Sequence, residues 1–246
     1  MIKSHPDGAG EPIAFSASGF QLRGWLHLPA AAQHPPFVIG SHGLFSTGDS
    51  PKQLALAREC NAAGIAYFRF DHRGCGRSSG RFQTATSLAA RCSDLFSAVE
   101  TLLGRSELAS RFGLFGSSFG GAVCIAGFSR SAAAALVVNA APVRGRTLQG
   151  TEAAADGPTE QNASFYRKLL QFDVAESLAE LRAVSIFHGD ADRVVPPENA
   201  LEIYRRAGEP KKITIFQNGD HRMSCAADQH RFVREAGAWF RNHLAT

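Results

Sequence analysis

Residues 113–121 read Gly-Leu-Phe-Gly-Ser-Ser-Phe-Gly-Gly. Within that run, Gly116-Ser117-Ser118-Phe119-Gly120 fits Gly-x-Ser-x-Gly, the pattern of a strained turn that carries a serine between a strand and a helix. The glycines have a steric reason. A turn that pushes a serine oxygen into open space brings backbone and neighbouring strands together, leaving no room for a Cβ at either flank. The context matches: apolar Phe112 to Phe115 enter the turn as a strand, and Phe119 to Phe128 leave it with helix-like apolar character. Of the two adjacent serines, only Ser118 has glycine two places to either side.

The rest of the chain supplies a setting for such a turn. Short apolar runs alternate with longer amphipathic segments, the pattern of a mostly parallel sheet with helices on its faces. The opening differs: Pro12 to Ser16 and Phe20 to Leu28 read as an antiparallel hairpin at the sheet edge. Further strands are expected at Pro36–Ser41, Ile65–Phe70, Phe112–Ser117, Ala134–Asn139, Val184–Phe187 and Ile213–Phe216. Helices are expected at Pro51–Ala63, Ser87–Leu103, Asp173–Leu181 and Asp228–Leu244. From about 143 to 172 the alternation breaks, and this stretch reads as a short cap or lid insertion with one amphipathic piece at Ser164–Leu170. No repeat or interdomain linker interrupts the chain, so residues 1–246 read as one domain.

Composition narrows the class. The longest apolar stretch, around Ala132 to Ala141, is too short to span a bilayer. The first residues lack the apolar core of a signal peptide. Five scattered cysteines without CxxC spacing point to reduced thiols, and so to a cytoplasmic protein with neither a disulfide framework nor a metal site. Cys225, near the end of the chain, reads as a packed, inert thiol. A net charge of +4, with basic residues spread thinly, offers no stripe for nucleic acid. Oligomeric state leaves no mark on the sequence.

A serine hydroxyl is a poor nucleophile at neutral pH and needs a base, which in turn needs a carboxylate to orient it. His188-Gly-Asp-Ala-Asp192 follows the strand Val184–Phe187, and Gln217-Asn-Gly-Asp-His221 follows the last strand. Asp190 sits tight in its turn and suits backbone capping. Asp192, further out, is favoured as the acid, and His221 as the base. His188, at a strand end, reads as a packed residue beneath the loop. Ser118, Asp192 and His221 occur in the chain order Ser, acid, His that accompanies this turn. Two donors must also face the acyl oxygen. The Phe119 amide is one, and the Leu44 amide in His42-Gly43-Leu44-Phe45 is the other, with Phe45 as the alternative donor. His42 reads as ordering that loop, and Phe45 as a wall for substrate. Asp71-His-Arg73-Gly74-Cys-Gly76-Arg-Ser78 fails the G-x-G-x-x-G test for a dinucleotide site and reads as a tight turn pinned by Asp71 and Arg73.

Taken together, Ser41-His42-Gly43, Asp71-His-Arg73-Gly74-x-Gly76-x-Ser78, Gly116-Ser-Ser118-Phe-Gly120-Gly121, His188-Gly189-x-x-Asp192-x-Val-Val-Pro196 and Gly219-x-His221 resemble the α/β-hydrolase superfamily from the first strands to the terminal helix. Within it, the chain looks most like compact esterases related to cinnamoyl and feruloyl esterases and to the serine aminopeptidase–monoacylglycerol lipase group. The resemblance implies an α/β-hydrolase fold with an eight-stranded, mostly parallel sheet and a Ser118/Asp192/His221 triad. It implies a serine hydrolase that cleaves a carboxylic ester of a small-molecule acyl substrate through an acyl-enzyme, with no cofactor and no metal. The same triad serves thioesterases, acyltransferases and peptidases, and the fold also hosts catalytically silent binding proteins. An incomplete triad would mark the silent class; here all three members are present.

Overall fold

The computed structural model describes residues 10–147 and 163–245. Strands β1 (Glu11–Ala17) and β2 (Phe20–His27) form the expected edge hairpin, closed by Ser18 and Gly19, both at positive φ. That is the backbone a two-residue hairpin turn requires. β3 (Phe37–Ser41), β4 (Ala66–Asp71), β5 (Phe112–Ser117), β6 (Ala135–Asn139), β7 (Val184–Gly189) and β8 (Lys211–Phe216) complete an eight-stranded sheet. Its order is β1-β2-β4-β3-β5-β6-β7-β8. β2 runs antiparallel to β4, and every pairing from β4 to β8 is parallel.

Strands β3, β4, β6 and β7 are buried along their whole length, which explains why they read as continuous apolar runs rather than alternating ones. Helices α3 (Leu88–Leu103), α4 (Phe119–Ser131) and α6 (Glu198–Arg206) pack on one face, with Phe112, Leu114 and Val138 beneath them. Helices α1 (Pro51–Ala62) and α7 (Ala226–Leu244) cover the other, over Phe115, Val137 and Phe187. A short α2 (Phe82–Ala85) lies between β4 and α3. The side chain of Ser87 starts α3 by accepting the Ala90 N–H at 3.0 Å, satisfying one of the helix's orphan donors.

The structure departs from expectation at several places, the short α2 among them. The segment expected as a helix at Asp173–Leu181 is a 3-10 turn, Ala175–Glu180. Leu178 and Leu181, three residues apart, are both fully buried, and three residues per turn puts them in one line. Helix α6 was not anticipated because its buried side is only Asn199, Ala200 and Ile203, too narrow a stripe to register. Cys225 is exposed at the start of α7 rather than packed, and all five cysteines are free.

Of the insertion expected at about 143–172, residues 148–162 lie outside the described residues. Its two arms meet at the base: Gly145 donates to the Phe172 carbonyl at 3.0 Å, and Val174 to that of Val143 at 2.9 Å. Arg144 reaches Asp173 at 3.0 Å and Glu202 at 2.7 Å. The amphipathic piece is α5 (Ala163–Leu169). It sets Phe165 and Tyr166 against a cluster with Phe45 and Phe82, ring centroids 5.0–6.0 Å apart.

Candidate active site

β5 ends at Ser117, and Ser118 takes φ 53° and ψ −126° before α4 begins. A non-glycine residue in that region is strained, and the surroundings hold it there. The Ser118 amide donates to the Asn139 carbonyl at 2.8 Å. A Cβ on Gly116 would lie 2.4 Å from the Gly120 carbonyl oxygen, and one on Gly120 would lie 2.2 Å from that of Ser41. The glycines on both flanks are therefore forced by backbone-to-backbone approach, as the motif suggested.

The side chain of Ser118 faces His221. Its Oγ lies 3.1 Å from His221 Nε2, and His221 Nδ1 lies 2.8 Å from Asp192 Oδ2. Ser117 turns elsewhere, its Oγ 3.5 Å from Asn139 Nδ2. The other oxygen of Asp192 accepts the amides of Val194 and Val195 at 2.8 and 2.9 Å. Burial would push the Asp192 carboxyl up, but hydrogen bonds from His188, His221 and these amides outweigh it and hold it far below the usual carboxylate range. Asp192 is thus ionised, and its hydrogen bond sets the His221 tautomer with the proton on Nδ1 and Nε2 free to accept from the Ser118 hydroxyl. Asp190 accepts the Asn218 amide at 2.6 Å, tying the acid-bearing loop to the histidine-bearing one.

His188 is buried and hydrogen-bonded under the loop, as the sequence suggested, and it also lies against Asp192. Its Nε2 donates to the Val195 carbonyl at 2.9 Å and stands 3.3 Å from Asp192 Oδ2. Asp192 is therefore flanked by two histidines, one partly exposed and one not.

The loop after β3 carries the second expected donor. A Cβ on Gly43 would touch the Ser118 Cβ at 3.4 Å, so this loop passes directly beside the serine. Gly40 is small for another reason: its missing Cβ makes room for the Gln53 and Tyr67 side chains. The amide of Phe119 opens α4 with no preceding turn to accept it, as in any helix's first turn. Phe45 is half exposed and, with Leu44, Cys75, Gly76 and Phe82, lines a cavity of about 260 Å³.

Behind the loop is a polar layer that the sequence did not reveal. Asp94 of α3 accepts Arg73 Nε at 2.7 Å and the Arg73 amide at 3.0 Å, with His72 Nδ1 at 3.2 Å. Asp71 receives the Gly48 and Arg77 amides, each at 2.8 Å, so the glycine turn is pinned as expected. Arg91, one turn before Asp94, reaches the loop itself. The signal for both was available: Arg91 and Asp94 share the buried stripe with Leu95, Ala98, Val99 and Leu102, where charged residues are out of place. Among the described residues no cluster of three or more His, Cys, Asp or Glu is arranged to hold a metal ion.

The family model for serine aminopeptidase, S33, a hydrolase family, matches residues 32–156, about half the chain. The chain belongs to this α/β-hydrolase family. This α/β-hydrolase is 26% identical over 232 residues to the uncharacterized protein YfhR of Escherichia coli K12, covering 90% of this chain and 76% of the relative. It is 25% identical over 223 residues to the mitochondrial palmitoyl-protein thioesterase ABHD10 of mouse, covering 80% of this chain and 73% of that one. In fold it is similar to Est1E from Butyrivibrio proteoclasticus, solved with ferulic acid bound, at a TM-score of 0.83 and 19% identity, covering 95% of this chain and all of that one. It is also similar to the esterase Pf2001 of Pyrococcus furiosus, at a TM-score of 0.79 and 19% identity, covering 99% and 97% of the two chains. No helix among the described residues is long and apolar enough to cross a membrane.

Proposed function

We propose that this hydrolase cleaves carboxylic esters through Ser118, His221 and Asp192. The observation that carries the reading is the unbroken line from Ser118 Oγ to His221 to Asp192, at 3.1 and 2.8 Å. Ser118 Oγ attacks the acyl carbonyl while His221 Nε2 takes its proton. Asp192, ionised and buried, steadies the imidazolium that forms. Negative charge on the acyl oxygen falls to the amides of Phe119 and Leu44. His221 then protonates the departing alcohol, leaving an acyl group on Ser118. Water, deprotonated by His221, releases the acid and restores the serine.

The cavity beside the Leu44 loop is lined by Leu44, Phe45 and Phe82 together with Ser46, Thr47 and Gln83, and it takes the part of the substrate that extends away from Ser118. With Phe165 and Tyr166 packed on Phe45 and Phe82, the insertion's second arm acts as a short cap over that wall. These surroundings, aromatic rings beside hydroxyl and amide side chains, suit a small-molecule substrate with an aryl group that carries polar substituents. Five unpaired cysteines fit a reducing compartment such as the cytoplasm.

A fluorophosphonate tests the nucleophile. It labels the wild type, and Ser118→Ala abolishes both labelling and hydrolysis of p-nitrophenyl esters. Labelling that persists in that variant, or moves to Ser117, overturns the assignment. Thioester cleavage is the second reading, favoured by the likeness to a protein named as a palmitoyl-protein thioesterase. Parallel assays on p-nitrophenyl esters, acyl-CoA and aminoacyl anilides separate ester, thioester and amide substrates.

A further inference from the structure

Arg91 is fully buried, and its guanidinium is spent almost wholly on the loop beside the serine. One terminal nitrogen donates to the carbonyls of His42 and Gly43, each at 3.2 Å. The other donates to the Leu44 carbonyl at 3.1 Å and contacts Cys75 Sγ at 3.3 Å. Its Cζ also stands 5.2 Å from the centre of the Phe119 ring, so one cation touches both segments that carry the proposed donors. Asp94, the carboxylate one turn along α3, is already taken by Arg73 and His72. Among the described residues the charge of Arg91 thus has no ion-pair partner, which is costly unless the fold has a use for it.

His42 acts on the same carbonyl. Its Nε2 accepts the His72 amide at 3.1 Å, so that nitrogen carries no proton. The ring proton is then on Nδ1, which donates to the Gly43 carbonyl at 2.8 Å. Burial, reinforced by the nearby Arg91, holds His42 well below the usual histidine range and keeps it in this neutral form. The Gly43 carbonyl oxygen therefore accepts from two donors at once. That oxygen and the Leu44 N–H are the two ends of a single planar peptide unit. Drawing electron density toward the oxygen makes the N–H at the far end a stronger donor, as in any cooperative hydrogen-bond chain.

We propose that Arg91 is a positioning residue for the hydrolysis: with His42 it grips the Gly43–Leu44 peptide, aiming and polarising the Leu44 N–H toward the acyl oxygen. The inference rests on the ester-hydrolase reading above. Its effect belongs to the charged state that follows attack rather than to the bound ester, so it falls on kcat rather than on KM.

Two variants test it, each normalised to the Ser118 sites titrated at the endpoint of fluorophosphonate labelling. Arg91→Met removes charge and donors and is expected to lower kcat roughly 10- to 100-fold with KM within about twofold. Arg91→Lys keeps the charge but loses the planar fork, and is expected to lower kcat about tenfold. It carries the test if the methionine variant does not fold. A trifluoromethyl ketone, which forms an anionic adduct on Ser118, should lose affinity in proportion to kcat/KM, a change that loose packing alone would not track. Either folded variant with kcat within twofold of wild type overturns the proposal, as does a loss confined to KM. A wild type that neither labels nor hydrolyses esters instead overturns the underlying reading.

Discussion

Gly189 and Gly219 meet backbone to backbone: a Cβ placed on Gly189 would lie 2.1 Å from the Gly219 carbonyl oxygen. That same oxygen accepts the Ala191 amide at 3.1 Å. The end of β7, which launches the acid, is thereby clasped to the loop after β8, which launches the histidine. Asp192 and His221, 2.8 Å apart, are thus carried by two loops in direct backbone contact.

Gly189→Ala should pry the two loops apart. Because the obstacle is backbone, no side chain can swing aside to absorb the methyl. We expect kcat to fall by roughly 100-fold or more, since small misplacements of catalytic groups are costly, and the melting temperature to drop. Gly104→Ala is the control: that residue is at φ −76°, and its nearest obstacle is 3.5 Å away. It should leave steady-state rates and stability nearly unchanged.

His188→Leu removes the donor to the Val195 carbonyl and the second histidine on Asp192. Stranding a buried carbonyl costs about 1–3 kcal/mol, readable as a lower urea midpoint. With Asp192 still held by two amides and His221, kcat should fall only about tenfold. Asp192→Asn is expected to reduce it by about 10⁴-fold, because the base then loses its tautomer. If the two variants lost activity equally, His188 would share the acid's role rather than support it.

Stability should fall as the solution is acidified from pH 6.5 toward 4. His27 and His72 are buried, and burial lowers each to about 4, with Arg69 adding to the effect at His27 and Arg91 at His72. In that window the unfolded chain takes up protons that the folded protein refuses, so unfolding gains ground as pH drops. Each histidine contributes up to about 3 kcal/mol. Arg69 Nε donates to His27 Nε2 at 2.8 Å, and a glutamine oxygen could accept that bond without titrating. Urea midpoints of His27→Gln should therefore vary less between pH 5 and 6.5 than those of wild type; parallel curves would refute the assignment.

Much of the fold was legible because its strands are short apolar runs cut off by glycine, aspartate or asparagine. The motifs around Ser118, Asp192 and His221 were legible for a related reason: tight turns at strand ends restrict residue choice, so chemistry and geometry leave the same mark. Arg91 and Asp94 were hidden because a helix's periodicity records which side is buried, not what the buried polar groups bind. Their partners are loop carbonyls and residues 16 to 49 positions away in sequence, pairings no local pattern encodes. The 3-10 turn at Ala175–Glu180 was misjudged because a six-residue segment fits either helical period.

Ser118 and His221 are 103 residues apart along the chain. During synthesis the strained serine turn therefore emerges long before His221, which arrives only after β8, at the far edge of the sheet. On the proposed mechanism, Ser118 has no base to activate it until then. The proposed activity therefore depends on the last strand being in place, which would make catalysis a report on the completion of the sheet.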